Sequence, residues 1–98
     1  MNLRRIEEIP EGQVFVLEAE IGNLDTAVLY LRADHIEGYP TSVALVLRHP
    51  QEDFEFSGAF PGLVARHMRA AILPEADVRK MLDPDVVRTL DREKYLRY

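Results

Sequence analysis

The chain has no cysteine, no tryptophan and only two lysines. Without cysteine there is no disulfide, thiolate nucleophile, cysteine-ligated zinc or iron–sulfur cluster. That absence fits a reducing compartment. Long apolar runs are missing too. Ala27–Leu31 and Val43–Leu47 fall far short of the ~20 residues that span a bilayer as a helix. The opening MNLRRIEEIPEG carries two arginines but no apolar segment of signal-peptide length. These absences predict a soluble, cytoplasmic protein with no membrane contact. Asn, Gln and Ser appear twice each, against ten Arg. Scarce Asn and Gln fit a thermophilic source, scarce Lys argues against one, and a GC-rich genome is the simpler cause.

What is present describes one folded domain: 98 residues, 47% hydrophobic and 30% charged, with a net charge of −5. The charge is uneven. Residues 1–60 hold eleven acids and four bases, whereas residues 61–98 hold six acids and eight bases. Such asymmetry can steer one molecule onto another. The overall acidity disfavours direct nucleic-acid binding.

The segment Gln13–Ile21 alternates as a strand, with Phe15, Leu17, Ala19 and Ile21 on one face. Thr41–Arg48 is β-branched and apolar on both faces, bounded by Pro40 and Pro50, and predicts a central strand. Asp53–Ser57 reads as a short edge strand beside it, and Leu3–Ile9 as a short strand at the start. Asn23–Gly38 has two readings. A Gly22–Asn23 turn makes TAVLYLR the second arm of a hairpin, setting Glu20 opposite Asp25. Alternatively, Leu24, Val28, Leu31 and His35 share a helical face, Asn23 caps it and Gly38 ends it.

After Phe60 the pattern turns helical. Pro61 suits a first helical position, and Val64, Met68, Ala71 and Ile72 form one apolar stripe. Pro74 starts a second, short helix, and Asp83-Pro84-Asp85 marks a third. The last helix is expected to run to the tyrosine-ended tail. The expected fold is α+β: an antiparallel sheet of three or four strands in residues 3–57, then two or three helices in residues 61–97 packed on one face. With residues 24–37 helical, the order becomes βαββα and ferredoxin-like.

Chemistry-bearing constellations are sparse. Gly58 and Gly62 are separated by three residues and followed by Leu63-Val64, so the spacing and Lys-Ser/Thr pair of a phosphate loop are absent. His35, His49 and His67 show no metal-ligand spacing, and Asp34, His35 and Glu37 make only an incomplete loop cluster. No metal and no cofactor is expected. No Gly-x-Ser-x-Gly elbow surrounds Ser42 or Ser57. Glu18, Glu20, Glu52, Asp53 and Glu55 read as solvating acids on strand faces.

Two features remain. Arg66 and Arg69, one helical turn apart with His67 between them, form a candidate anion- or partner-binding group. Tyr95, Leu96 and Tyr98 are candidate interface anchors, unless the tail docks on its own sheet. The expectation is a non-enzymatic domain acting by protein–protein association, first with a second copy as a homodimer. The alternative is a small enzyme or ligand-binding domain using His67, Arg66 or Arg69 with a carboxylate such as Glu18 or Glu55.

Overall fold

A computed structural model describes residues 2–34, 36, 38, 43–50 and 64–98. Among these residues, five strands form one antiparallel sheet: β1 (Arg4–Arg5), β2 (Val14–Leu17), β3 (Leu29–Arg32), β4 (Ala44–Arg48) and β5 (Arg69–Ile72). Two helices follow among the described residues, α1 (Glu75–Met81) and α2 (Pro84–Arg92), giving an α+β fold. The strand order is β1-β5-β2-β3-β4.

Alternation along β2 creates two cores, one on each face of the sheet. Val14 and Val16 join Leu29, Leu31, Leu45, Leu47, Ala71 and Leu73, together with Val78 of α1, Leu90 of α2 and Leu82 between the helices. Phe15 and Tyr30 lie in the other core, with Val46, Ala70 and the N-terminal Ile6 and Ile9. The Phe15 and Tyr30 rings stack with centroids 5.4 Å apart. Ile6 and Ile9 reach that core because the chain turns through a 3-10 segment, Ile6–Glu8, directly after β1.

The hairpin reading of residues 13–32 holds, and the helical one does not. Val14 pairs with Leu31 and Phe15 with Tyr30, the register that a Gly22–Asn23 turn sets. The ladder is nevertheless shorter than the alternation predicts. The chain leaves it at Leu17 and coils through a second 3-10 turn, Glu18–Glu20. There the Glu20 carboxylate accepts the Val28 N–H at 3.3 Å, and Ile21 and Leu24 pack on the helix-side core. The predicted Glu20–Asp25 opposition is thereby avoided.

The first expected helix is corrected outright over residues 69–72. They form β5, which lies between β1 and β2 and is antiparallel to both. The apolar stripe read on that helix is split: Val64, Met68 and Ile72 serve one core and Ala71 the other. Ala70 and Ala71 have helical propensity, but they occupy a slot closed on both faces, and tertiary burial overrides a weak local preference. Pro61, Gly62 and the expected edge strand at 53–57 lie outside the described residues.

The third helix begins as predicted, with the Asp83 carboxylate accepting the Asp85 N–H at 2.8 Å and Pro84 in the first turn. It stops earlier than expected. Lys94 adopts φ 57°, its N–H bonds to Asp91 O, and the Tyr95 N–H bonds to Leu90 O at 2.9 Å. This pair of bonds is a Schellman motif, and it throws residues 95–98 back toward the sheet.

Candidate functional site

Arg66, His67 and Arg69 do not share a helical face. Arg66 and His67 sit in an exposed turn ahead of β5, and Arg69 opens the strand. The Arg66 guanidinium lies 3.8 Å from Asp34, whose carboxylate is already held at 2.5 Å by Arg32. Arg66 is therefore half committed to a network inside the fold. His67 and Arg69 have no side-chain ion pair or hydrogen bond among the described residues.

The environment of Arg69 follows from the β1–β5 ladder. Arg4 pairs with Ala70 and Arg5 with Arg69. One step on, the Ile6 N–H donates to Met68 O at 2.9 Å, which marks Ile6/Met68 as a hydrogen-bonded rung. Antiparallel rungs alternate, so Arg5/Arg69 is the non-hydrogen-bonded pair, the kind that brings side chains closest. Two arginines thus face one another on one side of the sheet, at an exposed edge. Directly opposed like charges cost about 0.2–1 kcal/mol.

Only one of the two is compensated. Arg5 pairs with Glu7 at 3.0 Å and with Glu8 at 2.9 Å. The hydrogen bond and charge of Glu8, then the charge of Glu7, hold the Arg5 guanidinium above its ordinary pKa. Glu8 is held below its ordinary value, chiefly by the Arg5 side chain and further by the Arg5 main-chain N–H and the charge of Arg4. Arg69 has no carboxylate within salt-bridge distance among the described residues. Arg4, also exposed, has none either. Arg4, Arg5, Arg66, His67 and Arg69 together make a basic edge on an acidic chain.

Two further arginines organise the fold without having been singled out by the sequence. Arg32, 4% exposed, donates from Nε to Ile6 O at 3.1 Å and from Nη1 to Val43 O at 3.3 Å as well as to Asp34. Arg48 reaches the carbonyls of Leu24 at 2.5 Å and Ala27 at 2.8 Å, and Met81 O at 3.5 Å. Burial pulls its pKa below the ordinary value, while Asp25 and Glu20 oppose that. A shared signal existed: LYLR and LVLR both end an apolar strand on arginine, where the guanidinium can fold back on local carbonyls.

The tail docks on its own sheet. The Leu73 N–H bonds directly to Val14 O at 2.8 Å, but the reciprocal bond is replaced. The Tyr98 hydroxyl accepts the Val14 N–H and donates to Leu73 O, both at 2.8 Å, so it stands in for one rung between β2 and β5. Tyr95 and Leu96 are partly buried against the helix-side core. The Arg97 N–H bonds to Gly12 O at 2.9 Å, and its side chain packs so tightly that a Cβ on Gly12 would sit 2.6 Å from it.

Of the other candidates, Glu20 is spent on Val28, whereas Glu37, Glu52, Asp53, Glu55, Ser57 and His35 lie outside the described residues. Among the described residues no group of three potential metal ligands comes together, and no helix is long and apolar enough to cross a membrane. Comparison of the chain with protein-family models, curated proteins and solved structures gives no match.

Proposed function

We propose that the chain is a non-enzymatic cytoplasmic binding module that works by protein–protein association, with a second copy as the first partner. One observation supports this reading: Arg69 faces Arg5 at an exposed position and has no carboxylate of its own among the described residues. A fold that keeps a like-charge pair with only one member compensated gives up stability there, and such local conflicts collect at functional surfaces. A net charge of −5 makes another copy a complementary surface for that edge. An enzymatic reading needs His67 or an arginine beside an available carboxylate. His67 stands exposed without one among the described residues, and the carboxylate beside Arg66 already serves Arg32.

The test is light scattering coupled to size-exclusion chromatography, over a range of protein and salt concentrations. A dimer that dissociates in Arg69→Glu and weakens above the ~0.15 M salt at which surface charges are screened within ~8 Å supports the proposal. A strict monomer at every concentration removes self-association.

A further inference from the structure

We infer that residues 95–98 form an exchangeable strap: when the turn at Lys94 opens, Tyr98 of one copy completes the β2–β5 seam of a second copy. The inference rests on the association reading for the identity of the partner, and it gives that partner a route other than the basic edge.

The slot that receives the strap is assembled without it. The Gly12 N–H bonds to Arg32 O at 2.8 Å, the Arg32 N–H to Gln13 O at 3.0 Å and the Leu73 N–H to Val14 O at 2.8 Å. The Glu11 carboxylate, which faces Arg97 at 3.3 Å, also accepts the Asp34 N–H at 3.4 Å. Lifting the strap away therefore leaves the Gly12 C=O, the Val14 N–H and the Leu73 C=O held in position without their partners. Gly12, at φ 87°, shapes the slot further, because a Cβ there would lie 2.6 Å from the Arg97 side chain. What fits is an extended segment with a phenol one residue after an arginine. Every further copy of this chain carries that segment.

The hinge is a single residue under strain. Helical geometry persists through Glu93, with φ −85° and ψ −1°, whose N–H bonds to Thr89 O at 3.0 Å. The chain reverses only at Lys94, where φ is 57°. A side chain is disfavoured in that left-handed conformation. Arg92, Glu93 and Lys94 are all good helix formers, so the local sequence favours continuing α2. Only the docked strap favours the reversal. Returning Lys94 to negative φ relieves the strain and carries residues 95–98 away from their own sheet. Short hinges under strain are those that invite exchange between copies.

The strap makes the same contacts in either arrangement. The balance is then set by the hinge and by concentration. The chain's own strap competes at an effective concentration on the order of millimolar, and relief at two hinges per dimer works against it.

Two substitutions at Lys94 push the balance in opposite directions. Proline cannot adopt positive φ, so Lys94→Pro holds the hinge open, whereas Lys94→Gly removes the strain and holds it closed. Light scattering across micromolar to millimolar protein should show the association constant rising about tenfold in Lys94→Pro and falling about tenfold in Lys94→Gly. Tyr98→Phe weakens the closed and exchanged forms alike, so it should speed exchange and leave that constant nearly unchanged. Circular dichroism confirms that each variant is folded. The direct readout is an NMR experiment on Lys94→Pro dimers mixed from one copy labelled with heavy nitrogen and one with heavy carbon. The Tyr98 ring of the carbon-labelled copy should give a nuclear Overhauser effect to the Val14 N–H of the nitrogen-labelled copy. The inference is overturned if Lys94→Pro is folded and monomeric, or if that contact arises only within one copy. If the proline variant unfolds, the wild type at millimolar concentration takes its place, and absence of the contact between copies overturns the inference there. Exchange that is indifferent to Arg69→Glu and to salt would sink the basic edge as the association surface alone. A dimer that dissociates in Arg69→Glu, ignores both Lys94 variants and lacks the contact between copies would sink strap exchange alone.

Discussion

Single hydrogen-bonding groups hold this fold at points where the main chain leaves a gap. The Tyr98 hydroxyl both accepts and donates, and neither bond has another partner on the sheet. Tyr98→Phe should destabilise the protein by about 1–2 kcal/mol, the usual cost of leaving a semi-buried N–H and C=O unsatisfied. Urea unfolding monitored by circular dichroism measures it, and an unchanged midpoint would mean that Val14 and Leu73 close the rung themselves. The sequence marks Tyr98 as a side chain in search of a surface. It does not show which one, because Val14 lies 84 residues away. Arg66, His67 and Arg69 were legible as a basic group. Their geometry was not, because helical spacing assigned them a shared face that a turn and a strand do not provide. The buried role of Arg32 is not legible in the sequence because arginine is a surface residue by default, and only the surrounding carbonyls of Ile6 and Val43 reverse that.

At the scale of elements, legibility tracked how local the determining forces are. The β2–β3 register, the strand at 44–48 and the start of α2 depend on turn residues, β-branching and a cap, all within a few positions. The identity of β5 depends on a slot between two other strands, which no window around Ala70-Ala71 contains. The end of α2 is a middle case. Glycine would have announced the Schellman turn, but Lys94 occupies the left-handed position instead. Lys94→Gly should stabilise the protein by about 0.5–1 kcal/mol, since a side chain at positive φ costs about 1–2 kcal/mol and glycine's extra freedom when unfolded returns part of it. A thermal melt that rises confirms this, while a fall would show that the lysine stem packs usefully. α1 and α2 are further tied by Arg79, which binds Asp91 through two bonds at 2.9 and 3.0 Å and also reaches Glu75.

For the molecule as a whole, these pairs bound the range of pH in which it is most stable. The Arg79 side chain holds Asp91 below its ordinary 3.8, and the Arg5 side chain holds Glu8 below its ordinary 4.5. Both carboxylates ionise more readily when folded. Their contribution is present above those values and is lost as pH falls through the folded-state ones. On the alkaline side, burial holds Tyr98 and Tyr30 above their ordinary 10.0. The neutral phenol is favoured when folded, so that contribution is present below 10.0 and disappears as pH rises through the higher folded-state values. A stability plateau from about pH 5 to about pH 9 is expected, with declines on both sides. Urea midpoints across pH test it, and Tyr98→Phe should flatten the alkaline decline.

The Tyr98 rung also sets an order on assembly. The β2–β3 hairpin needs only nearby residues and can form early in synthesis. β5 can pair with β2 once residue 73 has emerged, but the seam between them remains one bond short until residue 98 arrives. The rung at the centre of the sheet is thus completed only after all five strands have been made, although its middle strand is among the first of them. During translation that unfinished seam is the place where a chaperone or a neighbouring nascent chain finds an open main-chain donor, on Val14, and an open acceptor, on Leu73.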